Sequence, residues 1–489
     1  MTVLLPDPKG VLAQLEIDPR TVREIQPCSQ RSRYQAIVNW IVRHRDKPGS
    51  PNLEKVRGYI EVLGLLCSLQ QWAAAHRLLQ IPLATHCTLS EQLQVWGYAQ
   101  ERISLHTPMI ERLQGSENSF HLDSLASAYL ALGQYAKATD YANQALRISQ
   151  TVEDKRGVGL SHMRLGYACA AQGQLQQAVG HYQQVVAIAQ TQTYRDIEAE
   201  ALANMGSAYR AIGQHKQSID CHQQSLEISH TLQDKRGEGY SLKDIGNVLF
   251  LTGRYDEAIA QYQQSDAIAQ VIEDPQLKIE CLQGLGSVYT VQREFTQAMV
   301  CYETVQRLAK EIGDAKGVLD AAMNVGNLCM SQKSYEQADA QYRQALGAAK
   351  LLGDLKAEGD INNNLGALRH VREDYVGAIA LYQRGVTIAQ QISDRSMKAH
   401  SLNNLGSAQR RLGNYEDALE SFQAALVLKR EMGDLLGEAQ TLFNMGQLWR
   451  KLGRQVLAIE AYESAQKLFQ RLRLSAQIER CEKVLSRLR

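Results

Sequence analysis

Apolar residues over most of the chain follow a helical spacing that stops and restarts at regular intervals. In the stretch around Gly246, the first apolar stripe has members three or four positions apart, at Leu242, Ile245, Val248 and Leu249. Gly253 interrupts this stripe, and a second one follows through Tyr255, Ala258, Ile259, Tyr262 and Ala267. The pattern predicts two helices of about 14–18 residues each, joined by a short turn.

The same pattern returns every 40 residues, marked by a small residue in the first helix of each pair. The marker residues are Ala126, Gly166, Gly206, Gly246, Gly286, Gly326, Gly366, Gly406 and Gly446. Nine copies without an insertion or deletion indicate a repeat array, in which each unit packs only on its neighbours. Such an array avoids the size limit of a single hydrophobic core, which stops growing at about 250–300 residues.

Residues at the helix ends recur in the same phase. An aspartate precedes the first helix in most copies, where its carboxylate can accept hydrogen bonds from free backbone N–H groups: Asp154, Asp234, Asp274, Asp314, Asp354, Asp394 and Asp434. A glycine marks the turn between the two helices, except where Arg293, Lys333 and Glu373 replace it. If that turn needs a left-handed backbone, each replacement costs about 1 kcal/mol or more.

The second helix of each pair repeats a small residue followed, four positions later, by a ring in most copies. A small residue lets two helices approach, and a ring fills the space beside it. The rings are Tyr182, His222, Tyr262, Tyr302, Tyr342, Tyr382, Phe422 and Tyr462. We interpret this row as packing rather than as a ligand-binding surface.

These residues resemble the tetratricopeptide repeat (TPR). Its pattern is Leu-Gly in the first helix, then a turn glycine, an aromatic residue, alanine and a second aromatic residue, as in NLGSAQRRLGNYEDALESF. The 40-residue period is similar to the arrays of Pins/LGN-type polarity adaptors, and more loosely to kinesin light chains and bacterial Rap regulators. The resemblance implies an all-α fold, a right-handed TPR α-solenoid of about nine repeats over residues 119–473.

The two ends of the chain depart from the repeat. Residues 1–30 contain four prolines and little pattern, so we expect a poorly ordered arm. Residues 31–118 are predicted to be a helical region of degenerate repeats. Residues 474–489 are predicted to be a C-terminal capping helix, with Arg480 on its polar side. A basic helix that binds a membrane or an acidic partner is the alternative for this last segment.

Composition narrows the classes of function. The net charge of +1 and the 6% aromatic content argue against a nucleic-acid partner. No apolar run approaches the roughly 18 residues that span a bilayer, and the first residues lack a secretory-signal pattern. Nine scattered cysteines without a CxxC pair indicate reduced thiols. We therefore expect a cytoplasmic protein without a transmembrane segment.

No motif for catalysis is present. The chain has no GxxxxGK[ST], HExxH or GxSxG sequence, and its twelve histidines are dispersed without metal-ligand spacing. We predict that the protein is not an enzyme and that it binds neither a cofactor nor a metal.

Asparagines recur in the first helices, although asparagine is a poor residue for a helix interior. They are Asn204, Asn247, Asn324, Asn327, Asn363, Asn364, Asn403, Asn404 and Asn444. Arginines stand four positions after the marker glycine, one helical turn along the same face, at Arg210, Arg410 and Arg450. An amide can pair with both the C=O and the N–H of a peptide backbone, and arginine can select acidic groups.

Two interpretations of these rows remain open. In the first, the rows contact a peptide ligand, as the asparagines of peptide-binding family members do. In the second, the asparagines bond neighbouring helices within the stack and the arginines form a solvated face. An acidic row at Glu200, Glu280, Asp320 and Asp360 would repel acidic ligands in the middle of the groove or favour the helix N-termini.

The resemblance implies a protein–protein interaction scaffold, or adaptor, that holds an extended segment of a partner protein or peptide in its concave groove. One alternative is a regulatory sensor, which would bind a short signalling peptide and change the shape of the superhelix. Another is an assembly chaperone for a multisubunit complex. The sequence does not specify an oligomeric state.

Overall fold

The computed structural model describes residues 5–44, 51–83 and 87–489. Helices make up most of these residues, and the described part of the chain contains no β-strand, only an isolated bridge between Pro82 and Thr88. The prediction of an all-α solenoid of helix pairs is confirmed. The chain divides into two compact units, residues 1–257 and residues 258–489.

The first unit holds the N-terminal helices and the first repeats. Its α-helices are α1 Pro8–Gln14, α2 Cys28–Arg43, α3 Asn52–Ser68, α4 Trp72–Gln80, α5 Leu89–Val95, α6 Ala99–His106, α7 Gly115–Ala131, α8 Tyr135–Thr151, α9 Lys155–Ala171, α10 Leu175–Gln192, α11 Arg195–Ile212, α12 His215–Thr231 and α13 Lys235–Leu251. Short 3-10 helices lie at Thr21–Glu24 and Thr107–Met109. The boundary between the units falls within α14, Tyr255–Val271.

The second unit continues the helix pairs and ends in an unpaired helix. Its helices are α15 Pro275–Val291, α16 Phe295–Ile312, α17 Ala315–Ser331, α18 Tyr335–Leu352, α19 Leu355–Val371, α20 Tyr375–Gln391, α21 Arg395–Leu412, α22 Tyr415–Glu431, α23 Leu435–Lys451, α24 Gln455–Arg471 and α25 Ser475–Leu488. The first helices of successive repeats contact one another: α19 contacts α21, and α21 contacts α23. Side chains at repeat-equivalent positions are therefore neighbours along this row.

The turns between paired helices use a left-handed backbone whether or not a glycine is present. Gly253 and Gly413 have φ of 77° and 97°. Arg293, Lys333 and Glu373 adopt φ of 64°, 62° and 62° at the equivalent position. The turn geometry is thus shared, and these three residues hold a conformation that is unfavourable for a side chain with a Cβ.

The marker glycines let a ring of the second helix press against the first. A methyl group at Gly166 would stand 2.5 Å from the ring of Tyr182, and one at Gly366 would stand 2.6 Å from the ring of Tyr382. Both rings are buried, so the ring row forms the packing that the sequence predicts. The aspartate caps are also present: Asp314 and Asp434 accept from the backbone N–H three residues later.

The N-terminal arm differs from the prediction. Residues 1–4, 45–50 and 84–86 lie outside the described residues, but residues 5–30 form α1, a 3-10 helix and the start of α2. Asp7 caps α1, and Pro8 occupies its first turn. Val11, Leu12 and Leu15 are buried in the same core as α3 and α4. The prolines led us to expect a poorly ordered segment, but burial of these three apolar residues on one helical face stabilises the helix.

Candidate functional site

All the predicted asparagines and arginines lie on first helices. Asn204 and Arg210 belong to α11 and Asn247 to α13, all in the first unit. The second unit carries the others on four consecutive first helices: Asn324 and Asn327 on α17, Asn363 and Asn364 on α19, Asn403, Asn404 and Arg410 on α21, and Asn444 and Arg450 on α23. Asn327 and Arg450 are exposed, and the remainder are partly exposed.

Several of these amides join one repeat to the next. Asn444 Nδ2 donates to Asn403 Oδ1 at 3.1 Å. Asn363 Oδ1 accepts from Ser401 Oγ at 2.9 Å. Asn364 Nδ2 lies 3.5 Å from the Oδ1 of the preceding repeat's asparagine, at the outer limit of a hydrogen bond. These contacts support the structural interpretation for part of the row.

In the first unit, the predicted asparagines are also engaged. Asn204 Nδ2 donates to Tyr167 Oη at 2.9 Å and to the Glu200 carbonyl at 2.7 Å. Asn247 Nδ2 donates to Asp244 Oδ1 at 3.2 Å. Their amide hydrogens are directed into the helix stack, so this part of the row offers less to a ligand than the second unit does.

Two cavities of the second unit have the predicted asparagines in their walls. Asn324 and Asn327 line one of about 490 Å³, and Asn403 and Asn444 line one of about 280 Å³. Asn324 and Asn404 make no side-chain hydrogen bond to any described residue. The structure therefore brings predicted site residues together in pairs at two places.

The larger of these cavities is lined by charged groups of both signs. Lys316 Nζ lies 3.2 Å from Asp320 and 3.6 Å from Asp354. Burial raises the pKa of Asp320, and the charge of Lys316 opposes this rise. Burial also raises the pKa of Asp360, on the same wall. Two members of the predicted acidic row, Asp320 and Asp360, thus lie beside the asparagines on the wall of this cavity.

The predicted arginines have unused donors. The Nε atoms of Arg210 and Arg410 are buried without an acceptor. Burial lowers the pKa of Arg410, and the positive charges of Arg411 and Arg450 lower it further. These guanidinium groups differ from Arg164 in the first unit, whose Nη2 lies 3.2 Å from an aspartate oxygen.

Three histidines that are dispersed in sequence meet in the first unit. Arg102 Nε donates to Ser90 Oγ at 3.4 Å, and that hydroxyl lies 2.9 Å from His106 Nε2. His106 Nδ1 and His121 Nδ1 are 2.8 Å apart, and His121 Nε2 lies 3.1 Å from His76 Nδ1. If all three histidines are neutral and each group donates to the next, one set of tautomers forms every hydrogen bond in this series. Sequence spacing gave no signal of this cluster.

Burial keeps this histidine cluster neutral. Burial, together with the smaller effect of His76, lowers the pKa of His121 to about 3. Burial also sets the pKa of His106 well below its usual range. For His76, burial lowers the pKa while Glu117 opposes the shift. The cluster joins α4, α6 and α7, so it ties the N-terminal helices to the first repeat.

A cavity of about 560 Å³ in the first unit has mostly polar lining residues, and two of its arginines are already paired. Arg156 Nη2 lies 2.6 Å from an Asp196 oxygen, and Arg164 is held by Asp123. Burial lowers the pKa of Arg102, on its wall, to about 10. Among the residues that the structure describes, no group of three or more His, Cys, Asp or Glu could hold a metal ion. No helix in the described ranges is long and apolar enough to cross a membrane.

Comparison with known families identifies the repeat. Tetratricopeptide-repeat family models match residues 118–191, 196–270, 319–350, 358–431 and 403–471, which together are more than half of the chain. The chain belongs to the tetratricopeptide-repeat family. A search of curated proteins finds no significant match. The closer resemblance to Pins/LGN-type adaptors stays a prediction.

Solved structures with a similar arrangement of helices include three of interest. The apo form of the quorum sensor NprR from B. thuringiensis has a TM-score of 0.49 and 16% identity over 77% of this chain and 99% of its own. A Rap protein complexed with competence and sporulation factor has a TM-score of 0.46 and 14% identity over 77% and 99%. The APC/C hetero-tetramer Cut9-Hcn1 has a TM-score of 0.41 and 14% identity over 98% and 96%.

The family assignment rests on the sequence matches and not on these structures. Tetratricopeptide repeats generally form interaction scaffolds without catalytic activity, so the family supports a role in binding other proteins.

Proposed function

We propose that this tetratricopeptide-repeat protein is a non-enzymatic scaffold that binds an extended segment of a partner protein along the first helices of the second unit. The observation that carries the proposal is the pairing of asparagines at two cavities, Asn324 with Asn327 and Asn403 with Asn444. A peptide backbone presents one C=O and one N–H per residue, and an asparagine amide matches both.

Unused hydrogen-bonding capacity supports contact with a ligand. Asn324 and Asn404 have no partner among the described residues. Asn444 uses one N–H to bond Asn403, which leaves its second N–H and its own oxygen available. The bonds within the stack therefore orient the amides without consuming them, and an amide held in position loses less entropy when a ligand binds.

Charge along the same unit suggests a direction for the segment. Around the first asparagine pair lie Lys316, Asp320 and Asp354. Near the second pair, Arg410 follows Asn403 on α21 and Arg450 follows Asn444 on α23, each towards the C-terminal end of its helix. A segment that is neutral or basic at one end and acidic at the other matches both regions.

The test compares two triple variants by affinity capture and mass spectrometry. Asn324→Ala, Asn364→Ala and Asn404→Ala together remove amides from three consecutive first helices. The matched control changes exposed amides on second helices, with Gln264→Ala, Gln383→Ala and Gln423→Ala. Circular dichroism and thermal unfolding establish that both variants keep the fold.

We expect the asparagine variant to lose partners that the wild type and the glutamine variant retain. Equal capture by all three proteins would refute the amide row as the binding site. A free peptide among the captured material would favour the sensor alternative, and an unassembled subunit of a larger complex would favour the chaperone alternative.

A further inference from the structure

Arg102, on α6, is buried in the first unit without a carboxylate to neutralise it. The residue is 4% exposed, and it forms no ion pair with any described residue. Its guanidinium group donates to two neutral hydroxyls, from Nε to Ser90 Oγ and from Nη1 to Ser127 Oγ, each at 3.4 Å. In contrast, the buried Lys429 lies 2.7 Å from Asp434. A buried cation without a counter-charge is costly for the free protein, so it points to an anion from outside the chain.

Arg102 reaches a cavity, and a second polar group without a partner stands beside it there. Arg102, Ser90 and Ser124 all line the cavity of about 560 Å³ in the first unit. Ser124 precedes Ser127 by three residues on α7, which places it on the side of the helix that Arg102 contacts. Ser124 is 7% exposed, and its hydroxyl has no hydrogen-bond partner among the described residues. The cavity wall therefore offers a cation and a hydroxyl that an anionic group can satisfy together.

The charges around this cavity exclude a ligand that is only anionic. Five carboxylates line it, against three guanidinium groups. Asp123 and Asp196 are paired with arginines, and Asp154 caps α9. Glu91 and Glu200 are exposed, and neither forms an ion pair with a described residue. A ligand that carries both a negative and a positive group matches this lining better than an anion does.

Glu91 is the carboxylate best placed for the positive group. It follows Ser90, whose hydroxyl lies 3.4 Å from Arg102 Nε. Its Oε2 accepts from the backbone N–H of Thr88 at 2.8 Å, as part of the capping box of α5. No hydrogen bond from a described residue occupies Oε1. The capping box thus fixes this carboxylate at the cavity wall and leaves one of its oxygens available to a cation.

Apolar side chains on the same wall suit an apolar substituent. Phe120 on α7 and Leu160 on α9 occupy equivalent repeat positions, and both line the cavity with Ile197 of α11. Phe120 precedes Ser124 by four residues, so the apolar part of the wall begins one helical turn from the hydroxyl. Small-molecule sites usually measure about 300–1,000 Å³ and combine apolar walls with a few placed polar groups, as this cavity does.

We propose that this cavity binds a free α-amino acid with an apolar side chain. The carboxylate of the ligand accepts from Arg102 and Ser124, its ammonium group lies against Glu91, and its side chain packs on Phe120 and Leu160. Hydrogen bonds between charged groups are the strong ones. Because α5, α6 and α7 all contribute to the site, the ligand stabilises the packing of the N-terminal helices on the first repeat. The site lies within the first unit and does not depend on the proposed function of the second.

The first experiment compares ligands of one shape by isothermal titration calorimetry with the full chain. L-leucine carries both charged groups, isocaproate lacks the ammonium group, and isoamylamine lacks the carboxylate. We expect L-leucine to bind, isocaproate to bind at least about tenfold more weakly, and isoamylamine not to bind up to about 1 mM. Glycine, which has no side chain to pack on Phe120 and Leu160, should also bind at least about tenfold more weakly.

Variants of the lining assign each group of the ligand to its contact. Arg102→Gln and Ser124→Ala should each weaken the binding of L-leucine by about tenfold. Glu91→Gln keeps the capping box, because glutamine also serves at this position, and should weaken the binding of L-leucine without weakening that of isocaproate. Ser104→Ala is the matched control, an exposed serine of α6 outside the cavity, and should leave the affinity unchanged.

Circular dichroism and thermal unfolding of each variant establish that it keeps the fold. Ser124→Ala removes only a hydroxyl without a partner, so it remains a fair test if Arg102→Gln unfolds. The proposal is overturned if L-leucine does not bind the wild type up to about 1 mM. It is also overturned if isocaproate or glycine binds as tightly as L-leucine, or if Ser124→Ala has the same affinity as Ser104→Ala.

Discussion

His222 occupies the ring row of the first unit, and its replacement by phenylalanine should stabilise the protein. The imidazole is 0% exposed, and neither ring nitrogen has a hydrogen-bond partner. It packs on the marker Gly206, as Phe422 packs on Gly406 in the second unit. Phe422 is also 0% exposed, so the slot accommodates a purely apolar ring.

The magnitude follows from two opposing effects. Each unpartnered ring nitrogen costs about 1–3 kcal/mol when it is buried. A slightly larger ring in a packed core costs about 1–3 kcal/mol in turn. Because two nitrogens are relieved and an equivalent slot already holds phenylalanine, we expect His222→Phe to raise the free energy of unfolding by about 1–2 kcal/mol at pH 7.5.

The pH dependence gives a second, sharper signature. Burial lowers the pKa of His222, the charges of Lys243 and Arg210 lower it too, and Asp244 opposes them. The unfolded chain therefore takes up a proton first, below about pH 6.5, and the wild type loses stability as the pH falls through that value. The loss is at most about 1.4 kcal/mol per pH unit for this one group. The phenylalanine variant lacks this titrating group, so the difference in free energy of unfolding between the variant and the wild type should increase as the pH falls from 7.5 to 5.5.

Urea unfolding at both pH values measures the difference, and hydrogen exchange in α11 and α12 localises it, because repeat arrays can open in parts. Tyr382→Phe is the control, since it changes the same row without a group that titrates in this range. If His222→Phe is less stable at pH 7.5, or if its advantage is the same at both pH values, the reasoning is refuted.

Other positions give independent predictions. Lys333→Gly should raise the free energy of unfolding by about 1 kcal/mol in urea, because it relieves a left-handed residue with φ of 62°; no gain would mean that the turn is unstrained. Gly366→Ala should lower the free energy of unfolding by about 1–3 kcal/mol, because the added methyl group would collide with a buried ring. Gly180→Ala is the control: this helix position has open space around it, so alanine should raise the free energy of unfolding by up to about 1 kcal/mol. Thermal unfolding of both variants measures the difference. The protection of α4, α6 and α7 from hydrogen exchange, taken relative to the intrinsic exchange rate at each pH, should decrease between pH 7.5 and 5.5, because His106 and its two neighbours must stay neutral in the folded state. His106→Gln should reduce that loss of protection, and unchanged protection in the wild type would contradict the reasoning.

Local signals in the sequence predicted the repeat and its helix ends. The stripe around Leu242 and Ile245, the aspartate caps and the turn positions each depend on contacts within a few residues, so they can be read one copy at a time. The prediction failed for residues 5–30, because we gave the prolines more weight than a short apolar face. The structure buries that face against α3 and α4, a contact that no local pattern reports.

The candidate site was predicted only in part, for the same reason. The sequence selected the asparagine row and Arg410 and Arg450, but it gave no sign of which amides would bond one another across repeats, as Asn444 and Asn403 do.

The amino-acid sequence by itself determined that helices form, where they begin and end, and which face of each is apolar, because these depend on spacing and end residues within one repeat. The tertiary structure decided which polar groups find partners. Asn444 bonds Asn403 across 41 positions, and His121 meets His76 across 45 positions, whereas the hydroxyl of Tyr462 meets no acceptor. Whether a polar group is satisfied depends on side chains that other helices bring to it, and packing alone sets those distances.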